Sequence, residues 1–437
     1  MEPEYMRVCF YTLGCKVNLN ETGALEHLFR QAGFVVVPPE QEADVYVVNS
    51  CTVTNFGDQK SRKWLRRQKR EHPGAVTVLT GCYPQAFPDE AANCLEADLV
   101  CGNGDRHAIL ENVDKLLAGH ERIVSIRPHE KNERFEELPV ERFESHTRAF
   151  IKVEDGCNRQ CAYCVIPRAR GAVRSRSEAS VLQELHTLAG AGYREAVLSG
   201  ISLPSYGQDT GTDLFTLLEA CETVDGIERI RLGSLDPDML SDEGIRRLAK
   251  LKKLCPQFHL SLQSGCTATL RRMRRVYTAE QYAQVVEKLR AAFAPERISF
   301  TTDCICGFPG ETEADFAESC DFLDKIGFLK VHVFPYSRRS GTPAYEFPDQ
   351  VCEQEKQARS RRMNAHAEAL RTRVLAGLAG SEEEVLLETP LSQTLFTGYT
   401  RLYVPIAVSA PGHKAGEIVR VRLGAYDGER VQAELVP

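Results

Sequence analysis

Twice along its length this chain switches back and forth between strand-like and helix-like sequence, and that alternation limits the folds open to it. In the first block, residues 6–118, "MRVCFYTLG" precedes the helical "NETGALEHLFRQAG", and "ADVYVVNS" precedes a basic helix around 58–71. "GAVTVLTG" and "ADLVCG" follow, then the helix "DRHAILENVDKLLAG". Strands separated by helices pair in parallel, so the pattern predicts an α/β protein with a doubly wound parallel sheet over 1–118. Residues 119–147 are charged, carry Pro128 and Pro139, and read as a linker. From 148 the alternation resumes with "RAFIKVED", "EAVLSG", "RIRLGS", "QFHLSLQS", "RISFTTD" and "KVHVFPY" as strands. Six such units over 148–378 predict a partial (βα)6 barrel, short of the eightfold one, closed by a long helix at about 350–378. Residues 379–437 change period to apolar–polar alternation, with an Asp427–Gly428 turn, and predict a small β-barrel.

The chain has 437 residues, enough for two to three domains. Its longest apolar run, "AVTVLTGCY", is strand-sized, so no membrane span is expected. The start "MEPEYMRV" lacks a signal pattern, which points to the cytoplasm. Sixteen cysteines in such a chain favour metal binding or catalysis over disulfides. Cys9, Cys94, Cys221, Cys255 and Cys320 sit in apolar or helical surroundings and read as small buried hydrophobes.

A net charge of −7 argues against a protein that coats nucleic acid unselectively. Local basic runs exist all the same: "KSRKWLRRQKR" at 60–70, "RARGAVRSR" at 168–176, "RRMRR" at 271–275 and "SRRSGT" at 337–342. Each alone reads as a solvated face; together they point to a polyanionic partner. The candidate contacts are Arg62, Lys63, Arg66, Arg67, Arg338 and Arg339.

The stretch "EDGCNRQCAYC" follows the first barrel strand and so lies at the carboxyl mouth, where such barrels keep their active sites. Cys157, Cys161 and Cys164 there form a C-x3-C-x2-C triplet. A structural zinc wants four protein ligands. An iron–sulfur cube with three thiolates keeps one iron open for a small molecule. The triplet, with Tyr163 before its last cysteine, resembles the signature of the radical S-adenosylmethionine (SAM) enzymes. By that resemblance, SAM binds the open iron and is split by an electron from the reduced cluster, giving methionine and a 5′-deoxyadenosyl radical. The resemblance also implies cofactor contacts at Ser199 and Gly200 after the second strand, Ser234 and Gln263 after the next two, and Ile305 and Gly307 in "TTDCICGFPGET".

Cys15, Cys51 and Cys82 form a second triplet, spread out in "YTLGCKVN", "VVNSCTVT" and "VLTGCYPQ". Each follows a strand of the first block. Carboxyl ends of parallel strands share one sheet edge, so these thiols are expected to converge. This pair of triplets resembles the methylthiotransferases, which join a three-cysteine domain, a radical SAM core and a C-terminal TRAM domain. "LQSGC", "RRMRRVYT", "GFPGET" and "VFPYSRRSGTPA" extend the likeness over almost the whole chain. The family implies two 4Fe–4S clusters, the second carrying sulfur, and two SAM molecules per turnover. It also implies an external electron donor of flavodoxin or ferredoxin type and a sulfur source.

Within the family, "LGCKVN" and "SCTVTNFGDQKSRKWLRR" look most like the branch that methylthiolates N6-threonylcarbamoyladenosine at tRNA position 37, beside the anticodon. The alternatives are isopentenyladenosine in tRNA, a ribosomal-protein aspartate and, remotely, a non-catalytic protein binding zinc and RNA. The tail resembles a TRAM domain, an RNA-binding barrel, with Phe396, Tyr399 and Tyr403 as candidate stacking aromatics. Cys304 and Cys306 replace the aliphatic residues usual in the family and read as packing.

Overall fold

The computed structural model describes residues 5–130, 133–138, 140–143 and 146–436. Its first sheet has six parallel strands in the order β2-β1-β3-β4-β5-β6. These are β1 (Arg7–Thr12), β2 (Val35–Val36), β3 (Val45–Ser50), β4 (Val76–Gly81), β5 (Leu99–Cys101) and β6 (Ile123–Ser125). β3 and β4 are buried along their whole length, as their near-continuous valine and leucine demand of parallel strands covered on both faces. Helix α1 (Lys16–Gln31) starts directly after Cys15, which caps it in a reciprocal arrangement with Asn18. Helix α2 (Asn55–Glu71) starts where the Thr54 side chain accepts from the Gly57 N–H. Helix α3 (Cys82–Ala86) follows β4 without a loop.

The segment read as a linker is more ordered than its charge implied. β6 lies inside it and completes the first sheet, and Leu138, Val140 and Phe143 pack into the core of the central barrel. Apolar residues spaced between charges, each too isolated to register as a pattern, account for the difference. Pro139, which helped mark the linker, lies outside the described residues.

The central block is built of parallel strands β7 (Ala149–Lys152), β10 (Glu195–Ser199), β11 (Arg229–Leu232), β12 (Ser234–Leu235), β13 (Gln257–Leu260), β14 (Ser299–Cys306) and β15 (Lys330–Pro335). A short antiparallel ladder of β8 (Glu154–Asp155) and β9 (Arg174–Ser175) brackets the first cysteine triplet. β11 pairs with β10 and β12 pairs with β13. The two are one strand position broken at Gly233, which leaves six positions around an open barrel, as expected. The helix Glu353–Ala376 packs against β15.

Five antiparallel and parallel strands close the C-terminal barrel in the order β16-β17-β18-β20-β19. They are β16 (Glu382–Pro390), β17 (Leu395–Thr400), β18 (Pro405–Ser409), β19 (Ile418–Tyr426) and β20 (Val431–Leu435). Asp427 turns the last hairpin by accepting from the N–H groups of Glu429 and Arg430, both at 2.8 Å. The β17–β18 loop covers the N-terminal end of the central barrel: Arg231 donates to the carbonyls of Thr400 and Arg401 (both 3.1 Å), and Ser299 to that of Leu402 (2.6 Å).

Candidate active site

Cys15, Cys51 and Cys82 each sit at the carboxyl end of one of three neighbouring strands, β1, β3 and β4. Gly14, at φ +132°, brings the chain before Cys15 so close that a Cβ there would lie 3.3 Å from the Cys51 Cβ. Burial pushes the Cys51 thiol up to about 12, and the nearby Cys82 and Cys15 push the same way. Burial also raises Cys15, against the pull of Arg170 and with the push of Cys82. The thiols therefore repel one another once ionised and need a shared positive partner. Part of that charge comes from Arg170, fully buried, whose Nε donates to Cys82 Sγ at 3.2 Å.

The first triplet repeats the arrangement. Cys157, Cys161 and Cys164 occupy the loop between β8 and β9, and burial raises Cys157 and pushes Cys164 up to about 12. Arg275, from "RRMRR", donates from Nη1 to Cys161 Sγ at 3.2 Å and pairs with Asp236. Each triplet thus has three converging thiols and one buried guanidinium, a donor set suited to an iron–sulfur cube with one iron free.

Between the triplets lies a cavity of ≈ 190 Å³. Val53 and Thr54, just past Cys51, line one side; Tyr163 and Cys164 line the other; Gln263, Asp303 and Ile305 close it from the barrel. Gln263 takes a left-handed backbone (φ +68°) and bridges to β14, donating to the Asp303 carbonyl and accepting from the Ile305 N–H. Of the other expected cofactor contacts, Ser199 is buried with its hydroxyl on the Ile151 carbonyl (3.2 Å), and Ser234 is exposed at the end of the third strand position. Gly307 faces away: a Cβ there would meet Lys356 Cγ at 2.5 Å, and its N–H donates to Glu311. Gly200 leaves no room for a side chain because Glu154 Oε2 would lie 2.5 Å from its Cβ.

Glu154 escaped sequence reasoning. It is fully buried at the barrel mouth, accepts from the Ser202 N–H on Oε2 (2.7 Å), and has no partner for Oε1. Burial pushes its carboxyl well up. The Tyr336 hydroxyl, beside the cavity, is likewise buried without a partner. Unsatisfied buried polar atoms mark where a polar ligand docks, and the open Glu154 oxygen fits an ammonium group such as that of SAM. The only hint of Glu154 in the sequence was an acidic pair before the first cysteine.

The two triplets face each other because the first sheet is locked onto the barrel. Glu21 on α1 is 1% exposed and receives Arg106 (2.7 Å), Lys152 (2.9 Å) and Arg170. Asn20 donates to the Phe150 carbonyl and Asn103 to the Ala169 carbonyl. Arg339 reaches across to Asp58 (2.6 Å) and Thr52 (2.7 Å).

This last contact changes the reading of the basic candidates. Arg339 is buried between the two blocks and is not open to a polyanion, because Asp58 lies opposite it. Arg62 stacks on and donates to Tyr83, while Arg66 and Arg67 pair with Glu96 and Glu71. Lys63 and Arg338 are exposed, Arg338 over the Tyr345 ring. In the tail, Phe396 packs in the barrel core, and Tyr399 stacks on Tyr403 with Arg148 against both. These rings are engaged within the protein rather than free to stack on bases. Cys304 and Cys306 are buried in the barrel core, as expected of packing thiols.

Comparison with known proteins agrees with this construction. The Radical SAM superfamily model matches residues 151–323, and the uncharacterized protein family UPF0004 matches 7–102. A radical SAM methyltransferase structure, TsrM from Kitasatospora setae, superposes with a TM-score of 0.58 at 15% identity over 78% of this chain and 74% of that one. The fold is therefore that of a radical SAM enzyme. The threonylcarbamoyladenosine tRNA methylthiotransferase MtaB of Bacillus subtilis is 40% identical over 95% of this chain and 93% of its own. The Thermotoga maritima protein of that name is 36% identical over 96% and 95%. A tRNA-2-methylthio-N(6)-dimethylallyladenosine synthase of Carboxydothermus hydrogenoformans is 33% identical over 94% and 95%. The chain belongs to the radical SAM tRNA methylthiotransferase family. Its cofactors are two 4Fe–4S clusters and SAM, and membership removes the non-catalytic zinc alternative. Among the described residues, no helix is long and apolar enough to cross a membrane.

Proposed function

We propose that this protein methylthiolates N6-threonylcarbamoyladenosine beside the anticodon of tRNA, giving the 2-methylthio derivative. The observation that carries the reading is the cavity between two cysteine triplets in a chain 40% identical to a relative named for that reaction. When bound, the clusters and SAM supply the radical, the methyl group and the sulfur that an unactivated C–H bond requires.

The chain's own residues hold and orient these groups. Cys157, Cys161 and Cys164 ligate one cluster, with Arg275 donating to Cys161. Cys15, Cys51 and Cys82 ligate the other, with Arg170 donating to Cys82. Glu154, whose carboxylate packs where a side chain on Gly200 would lie, accepts the SAM ammonium through its unpartnered oxygen. Tyr163, Ile305, Phe334 and Tyr336 wall the cavity and exclude water, which protects a reactive intermediate. Residues 1–118, 148–378 and 379–437 act as cluster-bearing, radical-generating and TRAM-like RNA-binding domains, with 119–147 joining the first two. Lys63 and Arg338, the exposed basic candidates without a carboxylate partner among the described residues, provide tRNA phosphate contacts. A flavodoxin- or ferredoxin-type donor supplies electrons and a separate system supplies sulfur, both in the cytoplasm.

Anaerobic enzyme reconstituted with iron and sulfide, given SAM, reductant and tRNA carrying threonylcarbamoyladenosine, is expected to release 5′-deoxyadenosine and add a methylthio group to that base. Deoxyadenosine release with modification only of isopentenyladenosine would keep the chemistry and overturn the substrate.

A further inference from the structure

We propose that His259, Asp303 and His332 bind one first-row divalent cation in the lumen of the central barrel, with open coordination positions turned to the cavity between the cysteine triplets. The site stands whichever adenosine the enzyme modifies.

The strand register brings the three side chains together. His259 lies opposite Thr301 where β13 pairs with β14, and Asp303 lies opposite His332 where β14 pairs with β15. Thr301 and Asp303 are two residues apart on one strand, so they share a face of the sheet, and both histidines share it with them. That face is the lumen, since Asp303 lines the cavity. The ligand atoms of His259, Asp303 and His332 lie within 4.8 Å of one another, and all three residues are half-buried.

His259 is oriented from behind. Its Nδ1 lies 3.0 Å from Thr301 Oγ1, a hydroxyl that also accepts from Gln257 Nε2 at 3.1 Å. With Nδ1–H donating to that hydroxyl, the Nε2 lone pair faces Asp303 Oδ2 at 3.4 Å. Fixing one ring nitrogen in this way is how proteins aim a metal-binding histidine. A separation of 3.4 Å is long for a hydrogen bond. It suits two ligands of one ion, because bonds of about 2.1 Å at roughly 90–109° place donor atoms about 3.0–3.4 Å apart.

The other two ligands are not committed elsewhere. Among the described residues the Asp303 carboxylate accepts no hydrogen bond and the His332 ring makes none; that ring lies 6.1 Å from the His259 ring. A proton on His259 Nε2 would pair His259 with Asp303 and leave His332 unused, whereas an ion engages all three. Held by no bond, the His332 ring is free to close the remaining distance. The local charge does not oppose a cation. Lys330, two residues before His332, is exposed, and Asp303 acts on His332 more strongly than Lys330 or Lys16 does. Two imidazoles and a carboxylate suit first-row divalent ions and leave positions for water or for oxygen atoms of a molecule in the cavity.

The test uses the full-length enzyme with both clusters reconstituted, passed through a chelating buffer and titrated with manganese(II). Free manganese(II) gives an electron paramagnetic resonance signal that binding removes, and oxidised 4Fe–4S clusters are silent. About one tight equivalent per chain is expected beyond the cluster iron, with imidazole nitrogen coupling in the spin echo of the bound ion. His259→Ala and His332→Ala should each weaken binding by more than about 10-fold, and Thr301→Val, which removes only the outer bond to His259, by roughly 10-fold. Iron near about eight per chain shows that a variant is folded, and the nitrogen coupling is read on wild type, so it decides even if a variant loses its clusters. No tight equivalent in wild type, bound manganese without nitrogen coupling, or iron-replete histidine variants that bind as wild type does would overturn the site.

Discussion

Glu21→Gln tests the lock that sets the two cysteine triplets face to face. Around this residue four cations, Arg106, Arg170, Lys152 and Arg174, meet four carboxylates, Glu21, Asp155, Glu136 and Glu133. Glu21 is 1% exposed and receives three of the cations itself. Burial alone would raise its carboxyl, but Arg106, Arg170 and Lys152 outweigh burial and hold it far below the usual range. A neutral glutamine leaves one buried positive charge without a counter-charge, a change that costs about 3–5 kcal/mol. At about 2–4 °C per kcal/mol this lowers the melting temperature by roughly 6–20 °C. The sign of the pH dependence follows from the depressed carboxyl. Its contribution is full above the unfolded value of ~4 and fades as pH falls below it, so wild type and variant should converge in acid. Because Arg170 also donates to Cys82, iron bound at the second triplet should fall as well. Thermal melts of anaerobically purified protein and iron analysis read both effects. An unchanged melt at neutral pH would refute the argument, and Arg67→Ala, which removes an exposed pair, is the control expected to do nothing.

Cys161→Ala should abolish reductive cleavage of SAM, while Cys51→Ala should retain cleavage but form no methylthio product; iron should fall in each from about eight to about four per chain. Glu154→Gln should weaken SAM binding measured by equilibrium dialysis. Without SAM, burial of Glu154 favours its protonated form, so wild-type stability should fall as pH rises above the ordinary carboxylate range, and the glutamine variant should lose that slope in melts at pH 5 and pH 8. Lys63→Gln should weaken tRNA binding for all sequences alike and reduce the salt dependence of log Kd by about one ion, as filter binding across a salt series would show; an unchanged slope would remove Lys63 from the tRNA contacts.

The sheet, the barrel and the tail were legible because each rests on local periodicity. "VYVVNS" and "VTVLTG" are strands wherever they are placed, and cysteines that end such strands must share an edge. What stayed hidden depends on contacts distant in sequence. Arg339 looked like a phosphate ligand because nothing in "SRRSGT" shows that Asp58, far upstream, lies opposite it. Tyr399 and Tyr403 looked free to stack because Arg148 and Arg231 come from the central barrel. Glu154 was passed over because a lone glutamate is common on a surface, and only burial with an unpaired oxygen sets it apart. The residues of 119–147 were read by charge, and their few apolar side chains, which pack into the core, were outvoted.

The most direct test of the central claim is mass spectrometry of nucleosides from bulk tRNA in a host lacking this modification, with and without the gene expressed anaerobically. The account predicts a methylthio gain on threonylcarbamoyladenosine that vanishes with Cys51→Ala. No gain on that nucleoside, from protein carrying both clusters, would contradict it; a gain on isopentenyladenosine instead would identify the true substrate.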